Sequence, residues 1–202
     1  MRWICSFFFV PLAGCLLFIT GCVSTGGGSG AAVAKVTKEA YRGAYVLDGQ
    51  GASQRLNYLD KIETHQVVGV GANGETTIRM MDRTKIQLGP GSRMRVLDYA
   101  LDPETDTGRL VLAFDQGPWR LIAKEGAMVN RDRTLVVLPA GVLLFTGEDA
   151  YGDSGSGEKT VFKFVDGEGV FVPKQAILDY AAEQGVGPDF DPLSLYETKE
   201  GK

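Results

Sequence analysis

Two stretches of this sequence read as one phrase written twice: DRTKIQLGPG at 82–91 and DRTLVVLPAG at 132–141. Each opens on a polar Asp-Arg corner, passes through threonine into apolar residues, and stops at proline and glycine. The β-branched Thr84 and Thr134 suit the start of an extended segment. Ile86 and Leu88 share one face of a strand, as do Val136 and Leu138, because side chains alternate with period two. TTIRMMD (76–82) and KTVFKFVDG (159–167) echo the same plan. Short segments that each bury one stripe and then turn build an all-β fold. They stack as coils of a β-solenoid or join as a rolled β-sheet. The 27 glycines and the 44% apolar share fit many short strands joined by turns.

Local signals divide the chain further. AYVLDG (44–49) is a strand ending in Asp-Gly, and THQVVGVGANGETTIRMMD predicts a hairpin at Asn73-Gly74. RMRVLDYALD sets Met94, Val96 and Asp98 against Arg93, Arg95 and Leu97, the pattern of a strand with one covered face. DPETDTG (102–108) reads as a polar turn. RLVLAFDQGPWRLIAKEG reads as two strands about a Gly117-Pro118 turn, and EKTVFKFVDGEGVFV (158–172) as a last hairpin bending near Asp166-Gly167. One short α-helix follows, with Pro173 at its first position and Gly185 at its stop. Ile177, Ala181 and Gln184 share one helical stripe, as do Leu178 and Ala182. The rest is a tail, with Phe190 and Leu195 as its apolar points.

The start of the chain is of another kind. Met1-Arg2 is a short basic stretch, Trp3 to Ile19 is almost wholly apolar, and Ile19-Thr20-Gly21-Cys22 closes the run. That is the layout of an export signal. The alternative is an uncleaved transmembrane helix, since the run approaches the ~20 residues that span a bilayer. Pro11, Gly14 and Gly21 weaken such a helix, and no basic stop-transfer cluster follows. Ile-Thr-Gly-Cys resembles the bacterial lipobox, whose cysteine is acylated and becomes the first residue of the mature protein. Leu12-Ala13-Gly14-Cys15 is a rival. Cutting there would leave Leu16-Leu17-Phe18-Ile19 on the mature chain, whereas cutting before Cys22 leaves the flexible VSTGGGSGAA. Cys22 is therefore the expected lipidation site. Several acyl chains hold a protein stably where one is marginal. By the rules of that family, Val23 after the cysteine implies sorting to the outer membrane in a diderm cell. Cys5, Cys15 and Cys22 are the only cysteines, so the mature domain offers no disulfide framework, zinc site or catalytic thiol.

A second resemblance covers residues 49 to about 126. LDKIET (59–64), TTIRMMDRTKIQLGPGSRMRV (76–96) and RLVLAFDQGPWRLIA (109–123) are similar to the FecR-type domain. Asp60, Ile62 and Thr64 match its opening motif. Asp82 and Thr84 match its Asp-Gly-Thr turn, with Arg83 in place of the glycine. Leu88, Gly89, Pro90 and Ser92 match its Leu-Gly-Pro-x-Ser ending, and Gly117 and Arg120 its closing strand. The later Arg-Gly-Thr turn of the family is missing from VVLPAGVLLFTGED. The resemblance implies an extracytoplasmic, β-rich, solenoid-like module. In some relatives that module belongs to transmembrane sensors that relay siderophore uptake to a sigma factor. With the leader starting at Arg2, their cytoplasmic sigma-binding segment is not expected here, and the signalling role is not carried over.

Residues with chemistry of their own are few. His65, the only histidine, sits at the start of a strand and reads as an exposed edge residue. Asp102, Glu104 and Asp106 alternate in a way that suits calcium, but lack the glycine and distal glutamate of a calcium-binding loop. Glu148, Asp149 and Asp153 lie in a Gly/Ser-rich stretch read as a loop. Glu63, Asp82, Asp98 and Asp115 sit on separate segments, and glycoside cleavage needs two carboxylates held about 5 to 9.5 Å apart. Trp119 beside Arg120, with Tyr58 and Tyr99, is the candidate platform for a sugar. A net charge of −4 gives no basic footprint for nucleic acid.

The sequence thus predicts a signal peptide over 1–21, a flexible tether over 22–34, a FecR-like β domain over 35–172, and a short helix and tail over 173–202. No catalytic, metal or cofactor site is assigned. The expected function is that of a non-enzymatic binding or scaffolding module, lipid-anchored in the cell envelope and facing the periplasm, with a protein partner. The alternative is an envelope sensor or assembly factor touching peptidoglycan or polysaccharide.

Overall fold

The structure, a computed structural model, describes residues 32–41, 43–47, 51–102, 107–123, 134–155 and 159–185. Within them the chain forms β1 (Ala32–Tyr41), β2 (Ala44–Leu47), β3 (Ser53–Arg55), β4 (Lys61–Glu63), β5 (Val67–Val70), β6 (Glu75–Met80) and β7 (Lys85–Leu88). These are followed by β8 (Arg93–Asp102), β9 (Thr107–Ile122), β10 (Thr134–Leu138), β11 (Gly141–Ser154), β12 (Thr160–Pro173) and α1 (Lys174–Glu183). The fold is all-β with one short C-terminal helix, and its sheet is curled into a half-barrel. Rolling, not stacking into coils, is the arrangement: every pairing is antiparallel except β9 with β10.

Three long strands run through both halves of the roll. One half follows the order β3-β2-β5-β8-β9-β10-β11-β12. The other follows β4-β1-β6-β7-β9-β11-β12. β9, β11 and β12 are common to both, and each bends where glycine allows it. In β9 the bend is at Gly117, whose φ of 77° favours glycine. A Cβ there would lie 2.7 Å from the Ser92 Cα, closer than side chains pack. In β11 and β12 the bend falls at the facing pair Gly147 and Gly167, where a Cβ on either would come within 2.5 Å of the other's Cα.

The repeated phrase now has its reason. Its two copies each lay a short strand along β9: β7 antiparallel on the second half, β10 parallel on the first. Ile86, Leu88, Val136 and Leu138 are all buried in the main core, as the period-two reading predicts. That core lies between the halves. Val46, Val68, Met94 and Leu112 meet Val36, Ile62, Ile78 and Leu121 there, around Phe114 and Phe145. Fully burying an aliphatic side chain of this size contributes roughly 1.5–3 kcal/mol. A smaller cluster on the outer face joins Val111, Leu135 and Val142 to Ile177 of α1. Ile177 and Ala181 are the buried residues of that helix, while Leu178 stays exposed. Pro173 sits just outside α1, and Gly185 follows its last turn with φ 70°.

Several local expectations are corrected. Asn73-Gly74 makes a turn, closed by the Gly74 N–H on the Gly71 carbonyl at 3.1 Å, but no hairpin. Neither residue takes the positive φ that a two-residue Asn-Gly hairpin needs. β5 instead pairs with β2 and β8, and β6 with β1 and β7. Gly117-Pro118 bends one strand of 16 residues and does not join two. Asp166-Gly167 likewise lies inside β12, whose hairpin partner is β11. The stretch 147–154, read as a loop, is the second half of β11, with Ala150, Gly152 and Ser154 turned inward and buried. The last residues read as tether, Ala32–Ala34, already belong to β1, and Val33 and Ala34 are buried. In β8 the alternation holds for Met94 and Val96, then a register shift before Asp98 brings Tyr99 to the core side instead.

Candidate functional site

The most constrained polar group is the hairpin between β6 and β7. Its loop, Met81-Asp82-Arg83, is closed by the Arg83 N–H on the Met80 carbonyl and by the Met80 N–H on the Thr84 carbonyl. Arg83 takes φ 73°, which is the glycine position of a three-residue hairpin loop. The fully buried Asp82 carboxylate accepts from the Thr84 N–H at 3.0 Å and the Thr84 hydroxyl at 2.8 Å. The Asp82 N–H donates to the Tyr99 hydroxyl at 2.9 Å. Burial raises the Asp82 pKa, and the Thr84 hydrogen bonds oppose that. Burial, then the Asp82 charge, pushes Tyr99 up to about 12. These contacts are internal to the turn and aim nothing outward.

A second corner ties β7 and β8 to the bend of β9. The Pro118 carbonyl accepts from the Gly89 N–H at 3.0 Å and from the buried Ser92 hydroxyl at 2.6 Å. Trp119 lies just beyond, stacked on Phe114 with ring centroids 4.6 Å apart, and its Nε1 donates to the Ser154 hydroxyl at 3.2 Å. Gly152 leaves room for that indole, since a Cβ would come within 2.6 Å of it. Ser154 was not legible as a partner, because it stands in a stretch whose composition says loop.

The remaining candidates are dispersed. Trp119 is buried, while Arg120, the next residue, points out to Asp149 with Nε–Oδ1 at 2.8 Å. Tyr99 faces the core and Tyr58 solvent, so the four do not form a platform. Asp115 is held by Arg95 through two contacts of 3.0 and 2.7 Å, and Asp98 pairs with Arg109. Each of these carboxylates faces a cation, not a second carboxylate. The Glu63 N–H donates to the Gln66 side chain at 2.9 Å. His65 is exposed at φ 66°, with its N–H on the Val96 carbonyl. Asp153 is exposed on β11. Cys22, Cys15 and the side chains of Asp102, Glu104 and Asp106 lie outside the described residues, as do Phe190 and Leu195. Among the described residues no three His, Cys, Asp or Glu side chains group together, and no helix is long and apolar enough to cross a membrane.

What the fold does present is an edge. β12 pairs with β11 alone among the described strands, over 14 residues. The sheet's other edges, β3 and β4, are three residues each. A short edge gives little to pair with, whereas a long one is a template for another strand. Phe162, Phe164 and Phe171 turn one face of β12 to the core, and Val161, Val165 and Val170 stand exposed on it. This edge was not visible in the sequence, where β12 read as a hairpin.

Comparison with known proteins returns no family model, no curated protein and no solved structure that matches the chain.

Proposed function

We propose that this protein is a non-enzymatic binding or scaffolding module of the cell envelope, held by acyl chains on Cys22, on the periplasmic side of the outer membrane in a diderm cell. The observation that carries the reading is the 14-residue edge of β12, which pairs with β11 alone among the described strands. Strand addition at such an edge gives affinity through main-chain hydrogen bonds and selectivity through alternate side chains. The likeness to the FecR-type domain is part of the proposal. It is supported by what the matching residues do: Arg83 stands in a glycine conformation, and Gly89, Ser92 and Gly117 meet at one corner. They hold architecture together, which is what a family of binding modules with varied ligands needs.

A photocrosslinking residue at Val165, introduced into the full chain in intact envelopes, tests the edge. A discrete adduct is expected there and none from the same probe at the exposed turn residue Asn73. Equal labelling from both positions would remove the edge as working surface. Mass spectrometry of the mature N-terminus, with and without globomycin, tests the anchor: an unacylated chain ends that part of the proposal, and Cys22→Ala should release the protein from the membrane.

A further inference from the structure

The strand register places like charges side by side. Lys61 of β4 faces Lys35 of β1, Lys35 faces Arg79 of β6, and Arg79 faces Lys85 of β7. Directly opposed residues share a face, and their neighbours Ile62, Val36, Ile78 and Ile86 are fully buried on the other side. The four cations therefore form one row on the outer face, and Arg83 stands beside it. None of the five engages a carboxylate among the described residues. The contrast with the paired arginines elsewhere on the sheet is plain. Like charges directly opposite one another destabilise a sheet, so the row is a cost the fold bears for some return. Lys35, Lys61, Arg79 and Arg83 also line a shallow cleft of about 580 Å³ with Ala32, Ala34, Met80 and Met81. Met81 is 64% exposed at its rim, and Leu59, whose N–H bonds the Val36 carbonyl, is exposed nearby.

We propose that this face seats on an anionic bilayer, with lipid phosphates along Lys61, Lys35, Arg79 and Lys85 and Met81 entering the interface. Cationic rows with apolar tips are what membrane surfaces attract. The choice of a bilayer over a soluble polyanion rests on the anchor proposed above. Ala32 and Ala34 line the cleft themselves, and the chain from Cys22 to Ala32 spans at most about 35 Å when extended. An acylated Cys22 thus keeps the cleft near the headgroups.

The test is amine labelling of the full chain in vesicles, read by mass spectrometry at each lysine. Vesicles of phosphatidylcholine are compared with vesicles of three parts phosphatidylcholine to one part phosphatidylglycerol. Labelling of Lys35 and Lys61 should slow about fivefold in the anionic vesicles, return at high salt, and leave Lys174 of α1 unchanged. Lys35→Glu should weaken the protection of Lys61. Equal rates in both vesicles overturn the proposal. So does protection by soluble polyphosphate on neutral vesicles without protection by phosphatidylglycerol, which would make the row a polyanion site. The mass of the N-terminus separates the two readings: an acylated chain without protection sinks this surface alone, and protection of an unacylated chain sinks only the anchor.

An independent observation concerns who occupies the β12 edge, and it rests on the edge reading above. We infer that it is a second copy of β12. Register shifts place Val165 as an extra residue between the pairs Asp149–Asp166 and Ala150–Phe164. The outward set therefore changes parity, from Val161, Lys163 and Val165 to Glu168 and Val170, all exposed. Two antiparallel copies related by a two-fold between Val165 and Asp166 put Val161 opposite Val170 and Lys163 opposite Glu168. On the inner face Phe162 meets Gly169 and Phe164 meets Gly167. The Lys163–Glu168 pair is opposite in sign and occurs twice by symmetry, the self-complementarity that a two-fold interface requires.

Sedimentation of the full chain in detergent should give a dimer. Lys163→Glu and Glu168→Lys should each weaken it about tenfold, and a mixture of the two variants should recover it. A wild-type monomer at every concentration, or a mixture no better than its components, overturns the inference. A Val165 photoadduct to a different protein, with the wild type monomeric, overturns it while keeping the edge.

Discussion

Asp82, Thr84 and Tyr99 show how a turn that reads as polar surface becomes interior. The Asp-Arg-Thr corner was legible as a turn, but nothing local says that its carboxylate is wholly buried; that follows from Tyr99, seventeen positions on, closing over it. The pH consequence has a definite sign. Tyr99 keeps its proton in the fold up to about pH 12, against 10.0 for a free phenol. The stability this gives is complete below pH 10 and is lost as pH rises toward 12. Urea midpoints should therefore fall across that window, and fall less in Tyr99→Phe, which in turn costs about 1 kcal/mol at neutral pH for the lost acceptor. Asp82, also raised, has the same sign in acid: its share declines as pH rises through its folded pKa, above 3.8. At Arg83 the left-handed backbone disfavours any side chain, so Arg83→Gly should raise stability by up to about 1 kcal/mol in equilibrium unfolding.

Among the elements, the strands were legible and their partners were not. Period-two burial held in β2, β7 and the first part of β8. Asn73-Gly74, Gly117-Pro118 and Asp166-Gly167 each looked like the centre of a hairpin, yet one is a corner between two strands that do not pair with each other and two are bends within long ones. A glycine confers the same local freedom in all three settings. Which one results is decided by strands far away in sequence, such as β7 and β11 against the second half of β9. The same dependence hid the β12 edge and the cationic row, since both exist only through register. At the β9 bend the demand is strict. Gly117→Ala should lower stability by roughly 2 kcal/mol or more, through both its φ and its collision with Ser92. A urea midpoint indistinguishable from wild type would mean that the bend tolerates a side chain.

For the whole molecule, the all-β class was legible from the repeat and the glycine content, and the short helix from its spacing. The choice between coils and a roll was not, because both use the same strands. Since β9, β11 and β12 belong to both halves and the main core lies between them, neither half keeps that core without the other. Thermal or urea unfolding should accordingly be one transition, with tryptophan fluorescence and backbone circular dichroism coinciding; two separated steps would show that the halves are independent.

The position of β1 bears on what happens when the chain is tugged from its N-terminal side. β1 is bonded on one flank to β4 and on the other to β6, with Val33, Ala34 and Val36 sunk in the interior from its first turn of backbone onward. Traction applied there meets two ladders and a buried stripe at once, so this end is a mechanical clamp. α1, held by Ile177 and Ala181, is the part that would peel away first under load from the opposite end.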